Sequence, residues 1–320
     1  MNKDPLKISI VFMGTSSFAE TILRSLVSSK YNVKAVYTQG DKKTGRNQEI
    51  GQSPVKITAE GYKIPVLEPK NFDEIATAEL ESLNPDLIIV AAYGKILPRK
   101  ILEIPQFGSI NVHASILPKF RGPSPIQNAL LYGEKETGVT FMLMDEGIDT
   151  GDILFQEEIK IGKDDTYPEL SQKLAEASSR LILEVIPQWI EKKIKPQSQD
   201  NSKATICQLI ERQDGKVNWD SEAQEIYNRY RAFYPWPGIY TFWKRKDSYL
   251  RLKLNKISHI ASNPESKHHL GEVFSVSDKI GVQTAEGLII IEELQMEGKP
   301  NSKVNDFING YSDFVGALLK

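Results

Sequence analysis

The run Leu87-Ile88-Ile89-Val90-Ala91-Ala92 is apolar at every position, with neither strand alternation nor helical spacing to give it a polar side. A segment this short is expected to be apolar throughout when it is a strand covered on both faces, as in a parallel sheet flanked by crossover helices. Its surroundings keep that rhythm. Leu6 to Met13, Val33 to Thr38, Ile64 to Val66 and Ser109 to Val112 read as further strands, with Ala19 to Ser29 as the helix after the first. The spacing predicts an α/β fold built on a mostly parallel sheet. Gly138 to Leu143 and Ile153 to Ile161 extend the strand pattern, and Tyr167 to Glu191 reads as a long helix that Pro187 should kink or end.

Beyond this point the pattern changes. Lys192 to Lys203 is rich in Lys, Pro, Gln, Ser and Asn and reads as a linker. A short helix near Ser221 to Phe233 precedes Tyr234-Pro235-Trp236-Pro237-Gly238. Short alternating strands follow at Tyr249 to Ile257, Gly271 to Ser275, Gly281 to Thr284 and Leu288 to Leu294, the habit of a small β-barrel. At 320 residues the chain exceeds what one hydrophobic core serves. The expected division is a catalytic domain over 1–191, a linker over 192–206 and a second domain over 207–320.

Composition excludes several classes. No apolar run is long enough to cross a bilayer, and the stretch from Ile8 to Met13 is too short for a signal peptide, so a cytoplasmic chain is expected. The single Cys207 excludes an internal disulfide and is expected to be a small apolar filler. With His113 the only histidine before His259, a His/Cys metal cluster in the first part is implausible, and catalysis without a metal is expected. A net charge of −2 exerts no global pull on nucleic acid. The stretch from Lys244 to Lys256, with Lys244, Arg245, Lys246, Arg251 and Lys253 interleaved with Tyr249, Leu250 and Leu252, is either a local basic surface or a solvated strand face.

Ligands of open α/β sheets sit at the carboxyl ends of strands, where Tyr93-Gly94 and Asn111-Val112-His113 both fall. Residues two apart on a strand share a face, so Asn111 and His113 project together as an amide donor and a proton carrier. The alternative is a strand-end polar pair satisfied by its neighbours. Asp149, in the acidic glycine loop from Asp145 to Asp152, is a carboxylate suited to hold the ring's other nitrogen. Gly14-Thr15-Ser16-Ser17 occupies the place of a dinucleotide fingerprint but has one glycine where three are needed. Gly40 to Asn47 nearly matches a phosphate loop, yet Arg46-Asn47 stands where Lys and Ser or Thr must be. Ser115 has no Gly-x-Ser-x-Gly elbow around it and reads as a loop ligand rather than a nucleophile.

Ala91-Ala92-Tyr93-Gly94, Asn111 to Pro118, Arg121-Gly122 with Pro125-Ile126-Gln127, Thr137 to Thr140 and Asp145 to Asp152 together resemble the formyltransferase family that uses 10-formyltetrahydrofolate. Within it the resemblance is to the branch acting on initiator methionyl-tRNA, and it runs from Ile8 to about Leu294. It implies a Rossmann-like catalytic domain and an OB-like carboxy-terminal barrel. It also implies Asn111, His113 and Asp149 as a catalytic trio, with Ser115, Ile116, Leu117, Pro118, Tyr93, Gly94, Asp145 and Gly147 around the folate. The tRNA would be met by Lys42, Lys43 and Arg46 and by Lys244, Arg245 and Lys246, with the protein a monomer. Two departures stand out: Ala114-Ser115-Ile116-Leu117-Pro118 where relatives carry Gly-Ser-Leu-Leu-Pro, and Asn47-Gln48-Glu49 where they carry further basic residues. An amino-sugar nucleotide remains the alternative acceptor, and a non-catalytic folate- or RNA-binding module the third reading. The loop from Asp41 to Lys56 favours tRNA.

Overall fold

A computed structural model describes residues 4–44, 49–262 and 268–320. The chain divides into two compact units. The first comprises Met1–Pro125, Glu136–Ile161 and Leu170–Gln208; the second comprises Ile126–Lys135, Gly162–Glu169 and Leu209–Lys320.

The first unit opens with β1 (Ser9–Gly14), α1 (Ser17–Ser28) and β2 (Asn32–Tyr37), then a small hairpin of β3 (Lys42–Thr44) and β4 (Glu49–Gly51). Next come α2 (Pro54–Gly61), β5 (Val66–Leu67), α3 (Glu74–Ser82), β6 (Leu87–Ala91), α4 (Arg99–Leu102) and β7 (Ser109–His113). After α5 (Pro125–Leu131), which from Ile126 on belongs to the second unit, the strands β8 (Glu136–Leu143) and β9 (Ile153–Lys160) complete the sheet, and α6 (Tyr167–Ile190) follows, in the first unit from Leu170. The sheet order is β5-β2-β1-β6-β7-β8-β9. Pairing is parallel from β5 through β7, and β8 and β9 add antiparallel strands.

Every residue of β1 and of β6 is buried, as the unbroken apolar run requires. Each Val, Leu or Ile so enclosed contributes on the order of 1.5–3 kcal/mol. α1 turns Phe18, Ala19, Ile22, Leu23 and Leu26 inward, a three-and-four spacing that makes one apolar stripe. α2 starts at Ser53, whose hydroxyl accepts from Lys56 N with Pro54 at the first turn, and α3 starts at Asp73, which accepts from Ala76 N. The strand order reverses between β1 and β6, which makes their carboxyl ends the crevice of the sheet. A Cβ on Gly14 would stand 2.9 Å from Ala91 O, so glycine permits the two strands to end this close together.

The second unit carries α7 (Ala223–Phe233), β10 (Ile239–Arg245), β11 (Ser248–Ile260), β12 (Val273–Val276), β13 (Lys279–Gln283), β14 (Leu288–Met296), β15 (Ser302–Lys303) and α8 (Val304–Gly310). Its antiparallel sheet runs β10-β11-β14-β13-β12, with β15 also on β14. Register shifts between Leu254 and Ile257 interrupt the β11 to β14 ladder, where a bulge bends a long strand into an OB-like half-barrel. Fully enclosed Trp243 is surrounded edge-on by Phe307, Tyr311 and Phe314.

The α/β class and OB-like second sheet agree with the expectation from the sequence; the ends of the expected strands lie within three residues of the observed ones, and β10 was not among them. The long helix read over Tyr167 to Glu191 runs Tyr167–Ile190, and Pro187 does not end it: a proline so near the terminus forfeits one ladder bond, and Glu191 N still donates to Pro187 O. Two readings need correction. The segment read as a linker is tied to the first unit, for Gln197 exchanges both backbone hydrogen bonds with Ile153. Cys207 is buried, but it is more than filler: its thiol donates to Arg121 O at 3.1 Å and accepts from Ser124 N at 3.4 Å. Among the described residues no helix is long and apolar enough to cross a membrane.

Candidate active site

β7 ends with Asn111 half-exposed, Val112 buried and His113 buried, because β7 pairs with both β6 and β8 and turns alternate residues to opposite faces. The loop from Asp145 to Asp152 brings Asp149 onto that strand end. Asn111 Nδ2 donates to Asp149 Oδ1 at 3.1 Å, and His113 Nδ1 stands 3.6 Å from Asp149 Oδ2. Gly122 N donates to the same Oδ2 at 2.8 Å. One carboxylate, 15 % exposed, thus bridges the amide, the imidazole and the start of the next loop.

The tautomer of His113 follows from its neighbours. Nε2 lies 2.9 Å from Phe120 O, and a carbonyl only accepts, so Nε2 carries a proton. In the neutral ring, Nδ1 is therefore the basic nitrogen. Protonated, it would face the Asp149 carboxylate. Asn111 spends one amide hydrogen on Asp149; for the second, no partner exists among the described residues. The margin holds a hydrogen-bond donor with a spare hydrogen beside a proton acceptor backed by negative charge, the parts a tetrahedral acyl-transfer intermediate calls on.

Several conformationally special residues hold these loops. Asp149 itself adopts φ 53°, unusual for a residue with a side chain. Gly122 has φ 109°, and a Cβ there would stand 2.6 Å from Cys207 O, so only glycine lets the loop pass the 205–207 segment. Thr205 accepts from Phe120 N through its hydroxyl at 2.8 Å and from Arg121 N through its carbonyl at 2.9 Å. Gln199 Nε2 donates to Asp149 O at 2.9 Å and to Gly151 O at 2.7 Å.

The residues expected around the folate divide into two kinds. Some use their side chains to shape loops. Ser115 Oγ donates to Lys119 O, Asp145 Oδ1 accepts from Gly147 N and Thr150 Oγ1, and Tyr93 is enclosed with its phenol pushed up to about 12 by burial. Leu117 is 2 % exposed, its backbone held by Thr140 Oγ1 and Gln156 Nε2. Ile116 and Pro118 are half-buried, while Gly94 and Gly147 are exposed. Gly94 has φ 74°, and Thr15 and Gln39 both donate to Tyr93 O beside it. Sequence reasoning assigned no role to Thr15, Gln39, Thr140, Gln156, Gln199 or Thr205. Isolated polar residues carry no periodic signal, and of these six only Thr140 falls inside a segment, Thr137 to Thr140, that carries the family resemblance in the sequence.

The cationic residues also divide. Lys42 and Lys43 lie on β3, whereas Arg46 lies outside the described residues. In the second unit Lys244 and Lys246 are exposed, but Arg245 is committed to Asp313 at 2.7 Å and packs over Tyr311 at 4.8 Å. The outward face of β10 and β11 pairs Tyr240 with Lys253, Phe242 with Arg251 and Lys244 with Tyr249. There Arg251 sits 3.7 Å over the Tyr240 ring and Lys216 5.8 Å over Phe242.

Comparison with known proteins gives this arrangement a family. The model described as Formyl transferase matches residues 6–186, and that described as Formyl transferase, C-terminal domain, matches 209–312. The chain belongs to the formyl transferase family. It is 41 % identical to the methionyl-tRNA formyltransferase of Caldicellulosiruptor saccharolyticus, over 98 % of this chain and 100 % of that one. It is likewise 41 % identical to the methionyl-tRNA formyltransferase of Caldanaerobacter subterraneus subsp. tengcongensis, over 97 % and 99 %. Among solved structures it resembles the N-formyltransferase of Helicobacter canadensis in complex with folinic acid and dTDP-3-aminofucose. The TM-score there is 0.65 at 20 % identity, covering 89 % of this chain and 98 % of that one, a likeness of fold.

Proposed function

We propose that this protein transfers the formyl group of 10-formyltetrahydrofolate to the free amino group of initiator methionyl-tRNA, supplying formylated initiator for translation in the cytoplasm. The observation that carries the reading is the convergence of Asn111, His113 and Asp149 on one strand end, in a chain alike along its whole length to enzymes of that name.

The amine attacks the formyl carbon and the carbonyl oxygen becomes an oxyanion. The free hydrogen of Asn111 Nδ2 stabilises that charge, a preorganised contact typically worth about 3 kcal/mol. Nδ1 of His113 takes the proton the amine must lose and delivers it to the leaving folate nitrogen, so the ring ends each cycle neutral. While Nδ1 is charged, Asp149 at 3.6 Å stabilises it, and its bond to Asn111 keeps the amide aimed. The two carbonyl-side groups need no covalent enzyme intermediate. The exposed backbone of Gly94 and Gly147, with half-buried Ile116 and Pro118, supplies the wall for the folate, while Ser115, Leu117, Tyr93 and Asp145 shape the loops that carry it.

Support for an RNA acceptor comes from the second unit. Rings interleaved with cations on an exposed strand face offer bases a stacking surface and phosphates a counter-charge. Exposed Lys244 and Tyr249 extend that face along the same strand pair. The protein acts as a monomer, which sedimentation checks directly.

The test offers purified protein the formyl donor with methionyl-tRNA, uncharged tRNA or a dTDP-linked amino sugar. Formylation of methionyl-tRNA, weakening steeply with salt, is the expected result. Formylation of the amino sugar alone would replace this acceptor with the alternative.

A further inference from the structure

We propose that Gln199, in the segment that reads as a linker, is a positioning residue for formyl transfer, acting by holding the Asp149 backbone in the conformation that delivers its carboxylate. This rests on the proposed function for the roles of Asp149 and His113. The amide of Gln199 has one possible orientation. Arg121 donates to its Oε1 from Nε at 3.1 Å and from an Nη at 2.7 Å, and a guanidinium only donates. The amide nitrogen must then face the two carbonyls it reaches, Asp149 O at 2.9 Å and Gly151 O at 2.7 Å.

Arg121 is 7 % exposed, and among the described residues its guanidinium has only neutral partners, Gln199 and Asn201. It therefore holds Gln199 without drawing a carboxylate away from the site. The adjacent Gly122 N binds Asp149 Oδ2. One dipeptide thus grips Asp149 twice, its backbone through Gln199 and its carboxylate directly. The backbone grip counts because Asp149 sits at φ 53°, which a residue with a Cβ leaves readily when nothing opposes it. Release would swing the carboxylate away from both Asn111 Nδ2 and His113 Nδ1.

The discriminating variant is Gln199→Glu. It keeps an acceptor for Arg121, now as an ion pair, but turns an oxygen toward two carbonyl oxygens and abolishes the donation. Turnover is measured with whichever acceptor the wild-type protein formylates, so a mistaken acceptor defeats the proposed function while leaving this experiment readable. The expected result is a thermal midpoint within a few degrees of wild type, kcat reduced about 10- to 100-fold, and KM for donor and acceptor changed by less than about threefold. In an Asp149→Asn background the same change should cost nothing further, because its effect runs through Asp149. If Gln199→Glu does not fold, Gln199→Ala is read in the same cycle. Unchanged kcat in a folded Gln199 variant, or an equal loss with and without Asp149, overturns the proposal.

Discussion

The strand end of the first unit and the outer face of β10 and β11 in the second both gather polar side chains, but they use them in opposite ways. At the strand end His113 is 6 % exposed, Asp149 is 15 % exposed, and nearly every polar atom is already spoken for within the protein. On the outer face the cations lie over rings and remain in solvent contact. A group that must meet a developing charge at one point gains from being fixed in a low-dielectric setting before substrate arrives. A surface that must follow a phosphate backbone gains from many mobile charges, each weak alone. Substitutions in the first place should therefore alter turnover, and in the second affinity and its salt dependence.

The largest effect should come from the imidazole. Changing His113 to Ala removes the proton carrier and should lower kcat by about three orders of magnitude, with KM for the folate nearly unchanged in steady-state assays. Next, Asn111→Ala should cost about 10²- to 10³-fold in kcat by removing the oxyanion donor. A comparable rise in KM instead would assign Asn111 to binding and break the contrast between the two regions. The paired variant Lys216→Ala with Arg251→Ala should raise KM for methionyl-tRNA about tenfold at moderate salt and leave kcat in place. It should also flatten the logarithmic salt dependence by about one for each phosphate that the variant no longer neutralises.

The smallest effect concerns the second unit's stability. Burial and the charge of Arg231 lower the His259 imidazole below its ordinary value of 6.5. Above that value the ring is neutral in folded and unfolded chains alike and pH has no hold through it. As pH falls below it the unfolded chain takes up the proton first, so stability declines until the folded ring also titrates. The thermal midpoint should drop between about pH 7.5 and 5.5, and His259→Gln should shrink that drop. An unchanged slope would place the pH sensitivity elsewhere.

Legibility from sequence follows the range of the interactions. The apolar β6, the inward stripe of α1 and the shared face of Asn111 and His113 depend on neighbours within one element, and all are readable. The basic stretch is only half readable, because strand pairing separates Arg245, held by Asp313, from Arg251, lying over Tyr240. The 197–207 segment is misleading altogether. Its polar composition is that of a linker, yet Gln197 pairs with the first residue of β9, and Gln199, Thr205 and Cys207 serve as partners to loops far away in the chain.

Local periodicity and residue chemistry were thus enough to specify a mostly parallel sheet, a second module built mainly of short strands and an amide paired with an imidazole at a strand end. They could not specify which nitrogen of His113 is basic, that Asp149 reaches both partners, or that a polar tail piece anchors it. Those outcomes rest on hydrogen bonds between groups widely separated in the chain or brought face to face by a loop, such as Gln199 to Asp149 O and His113 to Phe120 O. Each such bond forms only once the folded core has met the entropy cost of bringing its two ends together.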